Sequence, residues 1–271
     1  FITSSMQMEA SRKLGMSAKN TMQVAQRLYQ NGLITYMRTD GVQIGEEGIT
    51  EIRSSINTMY GDKYLPAKSN EYKSKITNAQ EAHEAIRPTD ASISPERIGS
   101  EFSKEEIDLY GLIWKRTIAS QMENWRGLRT TINIVNNDRD IQLRVSGTVT
   151  TFDGYRTLYE EGRKEDKPQE SQELPKLEKG QHLKIINTET NQHFTKAPPR
   201  YSEATLVKSL EEKGIGRPST YASIISVLQD RQYVIIENRY FKPEAKGRLL
   251  SSFLENFFTQ DVRYNFRADL E

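Results

Sequence analysis

The 271 residues, 28% of them charged and 35% hydrophobic, allow two domains or several small subdomains around a modest core. The absence of cysteine excludes disulfides and cysteine-based zinc sites, and no apolar run is long enough for a transmembrane helix or a signal peptide. The net charge of +1 does not by itself indicate a nucleic-acid partner, although a groove can be basic on a nearly neutral molecule.

Five helices are predicted in the N-terminal part of the chain. The clearest spans 18–30, because Ser17 is a suitable N-cap, apolar residues follow at helical spacing, and Asn31-Gly32 suits a C-cap. Another begins at Ser103, where Glu106 completes a capping box, and ends near Met122. The remaining three helices are predicted over 6–14 before Gly15, over 47–60, and over 79–86 before Arg87-Pro88.

The stretch GLITYMRTDG follows the helix over 18–30. Leu33–Met37 is predicted as a short strand. Side chains at positions i and i+2 of an extended chain face the same side, so Tyr36 and Arg38 are expected to share one surface, with Asp40 at the same spacing. A phenol and a guanidinium can then meet one anionic group. The structural alternative is a half-buried tyrosine beside a solvated arginine.

From Leu128 onward the apolar residues alternate, which predicts strands. Residues 160–180 are charged and are expected to form an exposed loop. Asp138-Arg139-Asp140 is the only Asp-x-Asp pattern, and it is interpreted as a turn rather than a magnesium site. The predicted strands are Thr130–Val135, Ile141–Val145, Val149–Phe152 and Leu183–Ile186.

The C-terminal part returns to a helical pattern. Ser202 is expected to cap a helix that ends at Gly214, and Pro218 is expected at the first position of a helix that ends near Leu228. A hairpin is predicted over 232–241. Helix, turn, helix and hairpin in this order are typical of a winged helix-turn-helix.

A similar order opens the chain and gives weak internal similarity. It places Tyr36 just beyond the second helix of a DNA-reading motif. The residues that match are Thr21 with Thr220, Leu28 with Val227, Gln30 with Gln229, and Asn31 with Asp230.

Two groups of residues can act on a phosphate. A phenol is protonated at neutral pH, so Tyr36 needs a nearby cation or base to act as a nucleophile, and Arg38 can supply the charge. His83 and Arg87, four residues apart on the predicted helix, can bind a phosphate, or His83 can transfer a proton. The alternative for this second pair is a solvated helix end, and the pattern is not the His-Glu-x-x-His of a zinc protease.

A third group surrounds a predicted helix N-terminus in GIGRPSTY. Two glycines, Arg217 and the hydroxyls of Ser219 and Thr220 suit a phosphate there, although capping by one hydroxyl is the simpler alternative. A Walker A loop does not match, because no lysine follows the second glycine. His182 and His193 have no partners at ligand spacing and are interpreted as structural, so no metal site is predicted.

Four long motifs together identify a family resemblance. They are FITSSMQMEASRKLGMSAKNTMQVAQRLY, GLITYMRTDG, QEAHEAIRPTD and HFTKAPPRYSEATLVKSLEEKGIGRPSTYASIISVLQDRQYV. In this order they resemble bacterial DNA topoisomerase I, a type IA topoisomerase, over nearly the whole chain. The resemblance implies a multidomain α+β fold in which winged-helix-like helical subdomains are joined by an antiparallel β arch within a toroid. The implied subdomains are 1–122, with the catalytic tyrosine, 123–196, an incomplete part of the β arch, and 197–271, an incomplete winged-helix-like subdomain that binds single-stranded DNA.

The resemblance also implies roles for individual residues. Tyr36 corresponds to the nucleophile that forms a 5′-phosphotyrosyl bond, Arg38 to the arginine at the scissile phosphate, and His83 to an active-site histidine. The remaining residues expected to contact DNA are Arg217, Ser219 and Thr220 at the backbone, Arg87 at a phosphate, and Tyr221, with Tyr201, by stacking on bases.

The family's amino-terminal metal-binding TOPRIM domain is not among these residues. The sequence is therefore expected to be an internal fragment, because it also does not begin with methionine. Mg²⁺ is expected in the intact enzyme, with its ligands in the TOPRIM domain, and no cofactor is expected here. The isolated chain is expected to bind single-stranded DNA weakly and to be catalytically incomplete. The TOPRIM domain is its expected partner, and the bacterial cytoplasm its expected location.

Two alternatives remain at the level of sequence. A non-enzymatic winged-helix DNA-binding module would explain the helix-turn-helix patterns, but it has no use for Tyr36 presented with Arg38 and a distant His83. Reverse gyrase shares the same motifs within a longer helicase fusion.

Overall fold

The structure is a computed structural model that describes residues 1–73, 83–99, 101–136, 138, 141–160 and 174–270. The chain forms two compact units, the first from Phe1–Glu123, Tyr155–Gly162 and Arg200–Glu271, the second from Asn124–Gly154 and Arg163–Pro199. No helix in these described residues is long and apolar enough to cross a membrane. In chain order the elements are α1 (Thr3–Glu9), α2 (Ala18–Gln30), α3 (Glu46–Tyr60), α4 (Lys104–Ser120), β1 (Arg126–Val135), β2 (Gln142–Phe152), α5 (Glu203–Glu212), α6 (Tyr221–Asp230), β3 (Val234–Glu237), β4 (Tyr240–Pro243), α7 (Ala245–Phe257) and α8 (Tyr264–Leu270).

The main core of the first unit lies where α4 packs against α2 and α3. The predicted capping residues at the starts of α2 and α4 are confirmed. The Ser17 hydroxyl accepts from the Asn20 amide at 3.1 Å, and the Glu106 carboxylate accepts from the Ser103 amide at 2.8 Å. Each cap satisfies backbone donors that have no partner inside the helix. The core side chains include Leu28, Ile52, Ile56, Leu109, Ile113 and Ile118.

The first helix begins earlier than expected and changes its form. α1 starts at Thr3, and Ala10–Leu14 continues it as a π-helix that ends at Gly15 with φ 68°. Gly15 closes the helix as predicted, because glycine adopts this left-handed conformation without a steric penalty.

The predictions of a strand at Leu33–Met37 and of a helix over 79–86 are both wrong for the residues described. Only an isolated bridge joins Ile34 to Pro88, and 83–86 are not helical, while 79–82 lie outside the described residues. The backbone groups in this region bond to a distant segment instead of to a neighbouring turn: the Thr35 amide donates to the Arg87 carbonyl at 2.9 Å. Tertiary contacts therefore override the local periodicity.

The C-terminal part of the first unit forms a second core between α5, α6 and the hairpin β3–β4. α6 begins at Tyr221, three residues after Pro218, and the two-residue turn of the hairpin has positive φ at Asn238 and Arg239. Mixed α and β structure with small antiparallel hairpins is thus confirmed. The second core contains Ala18, Val207, Tyr221, Ile225 and Phe241.

The two helical pairs pack on each other, α1 against α5 and α2 against α6. Two of the four matched pairs of the internal similarity do not share an environment, however. Thr21 is fully buried whereas Thr220 is exposed, and Leu28 is fully buried whereas Val227 is 44% exposed. The similarity is therefore one of helix order and not of residue roles.

The second unit contains the long antiparallel hairpin of β1 and β2. Ile141–Val145 and Val149–Phe152 were predicted as separate strands, but 142–145 and 149–152 belong to one strand, because the register with β1 continues through Ser146 and Gly147. Leu183–Ile186 is not a strand and is mostly exposed. It has no pairing partner among the described residues, and an isolated strand is not stable in water. The boundaries of the three subdomains stay a prediction.

Candidate active site

The segment with Tyr36 is held in place by threonine hydrogen bonds instead of by a sheet. The Thr35 hydroxyl donates to the Ala85 carbonyl at 2.9 Å and accepts from the Arg87 amide at 3.0 Å. Ile34 and Met37 are buried on either side. Tyr36 is therefore presented from a backbone that is fixed to the segment following His83.

The Tyr36 ring contacts two other rings. Its centroid is 5.3 Å from that of His83 and 5.4 Å from that of Tyr29, both in edge-to-face arrangements. The structure thus brings together Tyr36 and His83, which are 47 positions apart in the chain. Tyr29 was not predicted as a site residue. The one feature of the sequence that could have indicated it is its position on the last turn of α2, next to the segment with Tyr36.

Arg38 lies two residues beyond Tyr36, with the buried Met37 between them. Its side chain is exposed, and it makes no hydrogen bond or ion pair with the residues that the structure describes. A guanidinium in this position is available to an anionic ligand. Tyr36 is half-buried and Arg38 is exposed, and that the two share one surface stays a prediction.

Arg87 does not share a helix face with His83, which corrects the sequence prediction. Its side chain is mostly buried, and its Nε donates to the Glu84 carboxylate at 2.9 Å. Its Nη1 donates to the carbonyl of Pro88 at 3.0 Å. The guanidinium therefore stabilises the loop after His83, and a contact between Arg87 and DNA stays a prediction.

The segment between α5 and α6 is a tight turn built on two glycines. Gly214 and Gly216 have φ of 67° and 79°. The Arg217 amide donates to the Thr220 hydroxyl at 2.8 Å, so this hydroxyl closes the turn and does not cap α6. Ser219 and Thr220 are exposed. Arg217 is half-buried, and its Nη1 donates to the Gly216 carbonyl at 3.0 Å, so a contact between Arg217 and DNA stays a prediction.

The two tyrosines proposed to stack on bases differ in exposure. Tyr221 is only 5% exposed and packs in the second core with Val207 and Phe241, so stacking of its ring on a base does not fit this burial. Tyr201 is 52% exposed. Tyr201 is therefore exposed enough to stack on a base, whereas Tyr221 is a core residue next to the turn at 214–220.

The face between α1 and α5 carries a buried polar contact. The Ser4 hydroxyl donates to the Glu211 carboxylate. Burial raises the pKa of Glu211, and the negative charges of Glu212 and Asp40 act in the same direction, while the Ser4 hydrogen bond opposes them. Between α5 and α2, the Glu203 carboxylate accepts from the Ala18 amide at 2.7 Å, which satisfies a backbone donor at the start of α2. The two helical pairs are thus joined by specific polar contacts.

Metal binding has no candidate among the described residues. No three side chains of His, Cys, Asp or Glu lie close enough there to hold an ion. His182 and His193 are exposed in an irregular segment, and Arg139 and Asp140 lie outside the described residues. The described residues therefore do not fit the magnesium ion that the family resemblance implies.

Comparisons with known proteins assign the chain to a family. The family described as DNA topoisomerase matches residues 1–271. The chain belongs to the type IA bacterial DNA topoisomerase I family. It is 52% identical over 279 residues to DNA topoisomerase 1 of Rickettsia bellii, covering 100% of this chain and 35% of that protein. It is 49% identical over 276 residues to DNA topoisomerase 1 of Zymomonas mobilis, covering 100% of this chain and 22% of that one.

A solved structure supports the same assignment. Full-length topoisomerase I from Thermotoga maritima matches with a TM-score of 0.86 and 33% identity, covering 100% of this chain and 44% of that chain. The chain thus spans about a third of the length of the curated Rickettsia relatives, 35% in R. bellii.

Proposed function

We propose that this chain supplies the nucleophile and part of the single-stranded DNA surface of a type IA DNA topoisomerase. Such an enzyme relaxes negatively supercoiled DNA by cutting one strand, passing another strand through the break, and resealing it. The observation that supports this assignment best is the half-buried Tyr36, edge-on to His83 and two residues from Arg38, which is exposed and has no partner among the described residues.

The proposed reaction is a transesterification. The Tyr36 hydroxyl gives up its proton as its oxygen attacks the scissile phosphorus, the bond from phosphorus to the 3′ oxygen breaks, and the 3′ oxygen takes up a proton, so no net proton is consumed. One phosphate ester replaces another, so no ATP is required and the reverse attack reseals the strand. The Arg38 guanidinium stabilises the charge that gathers on the phosphate, and the His83 imidazole binds the phosphate or transfers a proton.

The described residues hold no suitable group of ligands for magnesium. The family resemblance places these ligands in an amino-terminal TOPRIM domain. The 271 residues alone are then expected to be catalytically incomplete. Within the whole enzyme, we propose that 1–122 carries the tyrosine, 123–196 contributes to a β arch, and 197–271 is a winged-helix-like subdomain that binds single-stranded DNA.

The chain is expected to bind single-stranded DNA more tightly than duplex, with an affinity that falls as salt is added. Arg217→Ala should lower the slope of log affinity against log salt by about 0.7, the value for one phosphate contact on a single strand. Fluorescence anisotropy with a labelled oligonucleotide measures this slope. Arg129→Ala, which removes an exposed arginine from β1, is the matched control and should leave the slope unchanged.

Tighter binding of duplex, a response that does not depend on salt, or equal slopes for the two arginine variants would contradict the proposed DNA surface. The turn at 214–220 would then be a structural connection between α5 and α6 only.

The function is tested by locating the covalent bond in the full-length enzyme that carries this chain. The enzyme is mixed with a labelled single-stranded oligonucleotide, denatured and digested, and the peptides are analysed by mass spectrometry. The nucleotide is expected on the peptide that contains Tyr36. A nucleotide on another residue, or DNA binding without any adduct, would reject the assignment, and the second result would favour a non-enzymatic DNA-binding module.

A further inference from the structure

The segment 37–39 is held by Thr3, the first residue of α1. The Thr3 amide donates to the Thr39 carbonyl at 2.9 Å. The Thr3 hydroxyl lies 2.8 Å from the Met37 carbonyl and 3.0 Å from the Thr39 carbonyl, and it accepts from the Thr39 amide at 2.8 Å. Thr3 is fully buried, so water does not compete for these bonds.

These bonds lie on both sides of Arg38. Met37 and Thr39 are buried, at 1% and 2% exposure, whereas Arg38 between them is exposed. Arg38 has no hydrogen bond or ion pair of its own among the described residues. The backbones of its two neighbours therefore determine where the Arg38 side chain starts and in which direction its Cα–Cβ bond leaves the surface.

The same N-terminal stretch also holds the segment that follows His83. The Phe1 carbonyl accepts from the Ile86 amide at 2.8 Å. Residues 1–3 thus connect the segment with Arg38 to the segment with His83, and no regular strand joins those two segments in the described part of the chain beyond the bridge at Ile34. These bonds act beside the direct bonds of Thr35 to Ala85 and Arg87, and they are the ones that hold the backbone immediately next to Arg38.

We propose that Thr3 is a positioning residue for strand cleavage: its hydroxyl sets the backbone of Met37–Thr39 and so directs Arg38 to the scissile phosphate. This inference rests on the proposed function of Tyr36 and Arg38. Thr3 touches neither DNA nor the reacting atoms in this scheme. Removing its hydroxyl leaves the Met37 carbonyl and the Thr39 amide buried without a partner, so the segment must shift to satisfy them.

The test compares three variants of the full-length enzyme. Thr3→Val removes the hydroxyl at nearly constant size, and Thr3→Ser restores it. Thr21→Val is the matched control, because Thr21 is equally buried and its hydroxyl donates only to the Ser17 carbonyl in the first turn of its own helix. The measurements are the rate of single-turnover cleavage at saturating single-stranded DNA and the affinity for the same DNA.

Thr3→Val is expected to slow cleavage by about tenfold to a hundredfold, because a misplacement of about 1 Å can cost this much. DNA affinity should be nearly unchanged, Thr3→Ser should recover most of the rate, and Thr21→Val should cleave at the wild-type rate. Wild-type cleavage by Thr3→Val, or equal losses in Thr3→Val and Thr21→Val, would overturn the positioning role. Tyr36→Phe is measured in parallel: an adduct in that variant rejects the proposed function itself.

A second measurement on the wild-type chain does not depend on the folding of a variant. If the Thr3 hydroxyl holds the Thr39 amide, hydrogen exchange followed by NMR should show strong protection of Thr39 and fast exchange of the adjacent Arg38 amide. Equally fast exchange at both positions would overturn the proposal.

Discussion

Tyr36→Phe is expected to abolish both the covalent adduct and the relaxation of supercoiled DNA by the full-length enzyme. The change removes only the attacking oxygen and keeps the ring, so the edge-to-face contacts with Tyr29 and His83 persist. Removing a covalent nucleophile lowers the reaction rate by about 10⁴-fold or more, so relaxation of supercoiled DNA should no longer be detectable. Binding of single-stranded DNA should remain within a few-fold of the wild type, because one neutral hydroxyl contributes little to a contact dominated by charge.

The matched control for this variant is Tyr60→Phe. Tyr60 is half-buried at the end of α3 and makes a similar edge-to-face contact with Tyr64. Tyr60→Phe therefore removes an equivalent tyrosine hydroxyl, but outside the segment with Tyr36. Relaxation by this variant should equal that of the wild type. Loss of relaxation in both variants would indicate that a tyrosine hydroxyl matters for folding and not for chemistry.

The same change tests whether the missing part of the enzyme activates Tyr36. The 271-residue chain alone is expected to give no adduct with labelled single-stranded DNA, with or without magnesium. A mixture with the TOPRIM domain of the same protein should give an adduct that survives denaturation, and Tyr36→Phe should remove it. An adduct formed by the chain alone, or one that survives Tyr36→Phe, would contradict the assignment.

Arg38→Ala is expected to slow cleavage by about 10²–10³-fold, the usual cost of removing one group that stabilises charge in a transition state. DNA affinity should fall far less, because the guanidinium matters most when negative charge gathers on the phosphate. Arg38→Lys should recover only part of the rate, since an ammonium lacks the planar pair of donors. Single-turnover cleavage and anisotropy on the full-length enzyme separate the two effects.

Arg129→Ala again provides the control, because Arg129 is an exposed arginine in the hairpin of the second unit. It should change neither cleavage nor affinity. Equal losses of binding and cleavage in Arg38→Ala would show that Arg38 only docks the DNA and has no role at the scissile phosphate.

Most helices of the first unit, and the family, can be predicted from the amino-acid sequence. Ser17 and Ser103 mark helix starts that the structure confirms, because a cap acts within one turn and needs no distant partner. The family follows from four motifs in order, and the match over residues 1–271 confirms it. The candidate nucleophile, Tyr36, also follows from its motif, because that motif is contiguous in the chain.

How the candidate site is held together depends on tertiary contacts. The periodicity of Leu33–Met37 favours a strand and that of 79–86 a helix, yet the described backbone of both segments bonds across the chain, where Thr35 meets Arg87. Hydrogen bonds between distant segments leave no periodic signal in either one. For the same reason the contact of Thr3 with Thr39 was not predicted.

Burial separated residues that look alike in the sequence. Tyr201 and Tyr221 are both candidate stacking residues, but only Tyr201 is exposed, since α5, α6 and β4 enclose the ring of Tyr221. Arg38 and Arg87 are both candidate phosphate ligands, but Arg87 pairs with Glu84 and Arg38 is unpaired among the described residues. Which side chain contacts a neighbour depends on how the helices pack, and this packing cannot be predicted from the local sequence pattern around either residue.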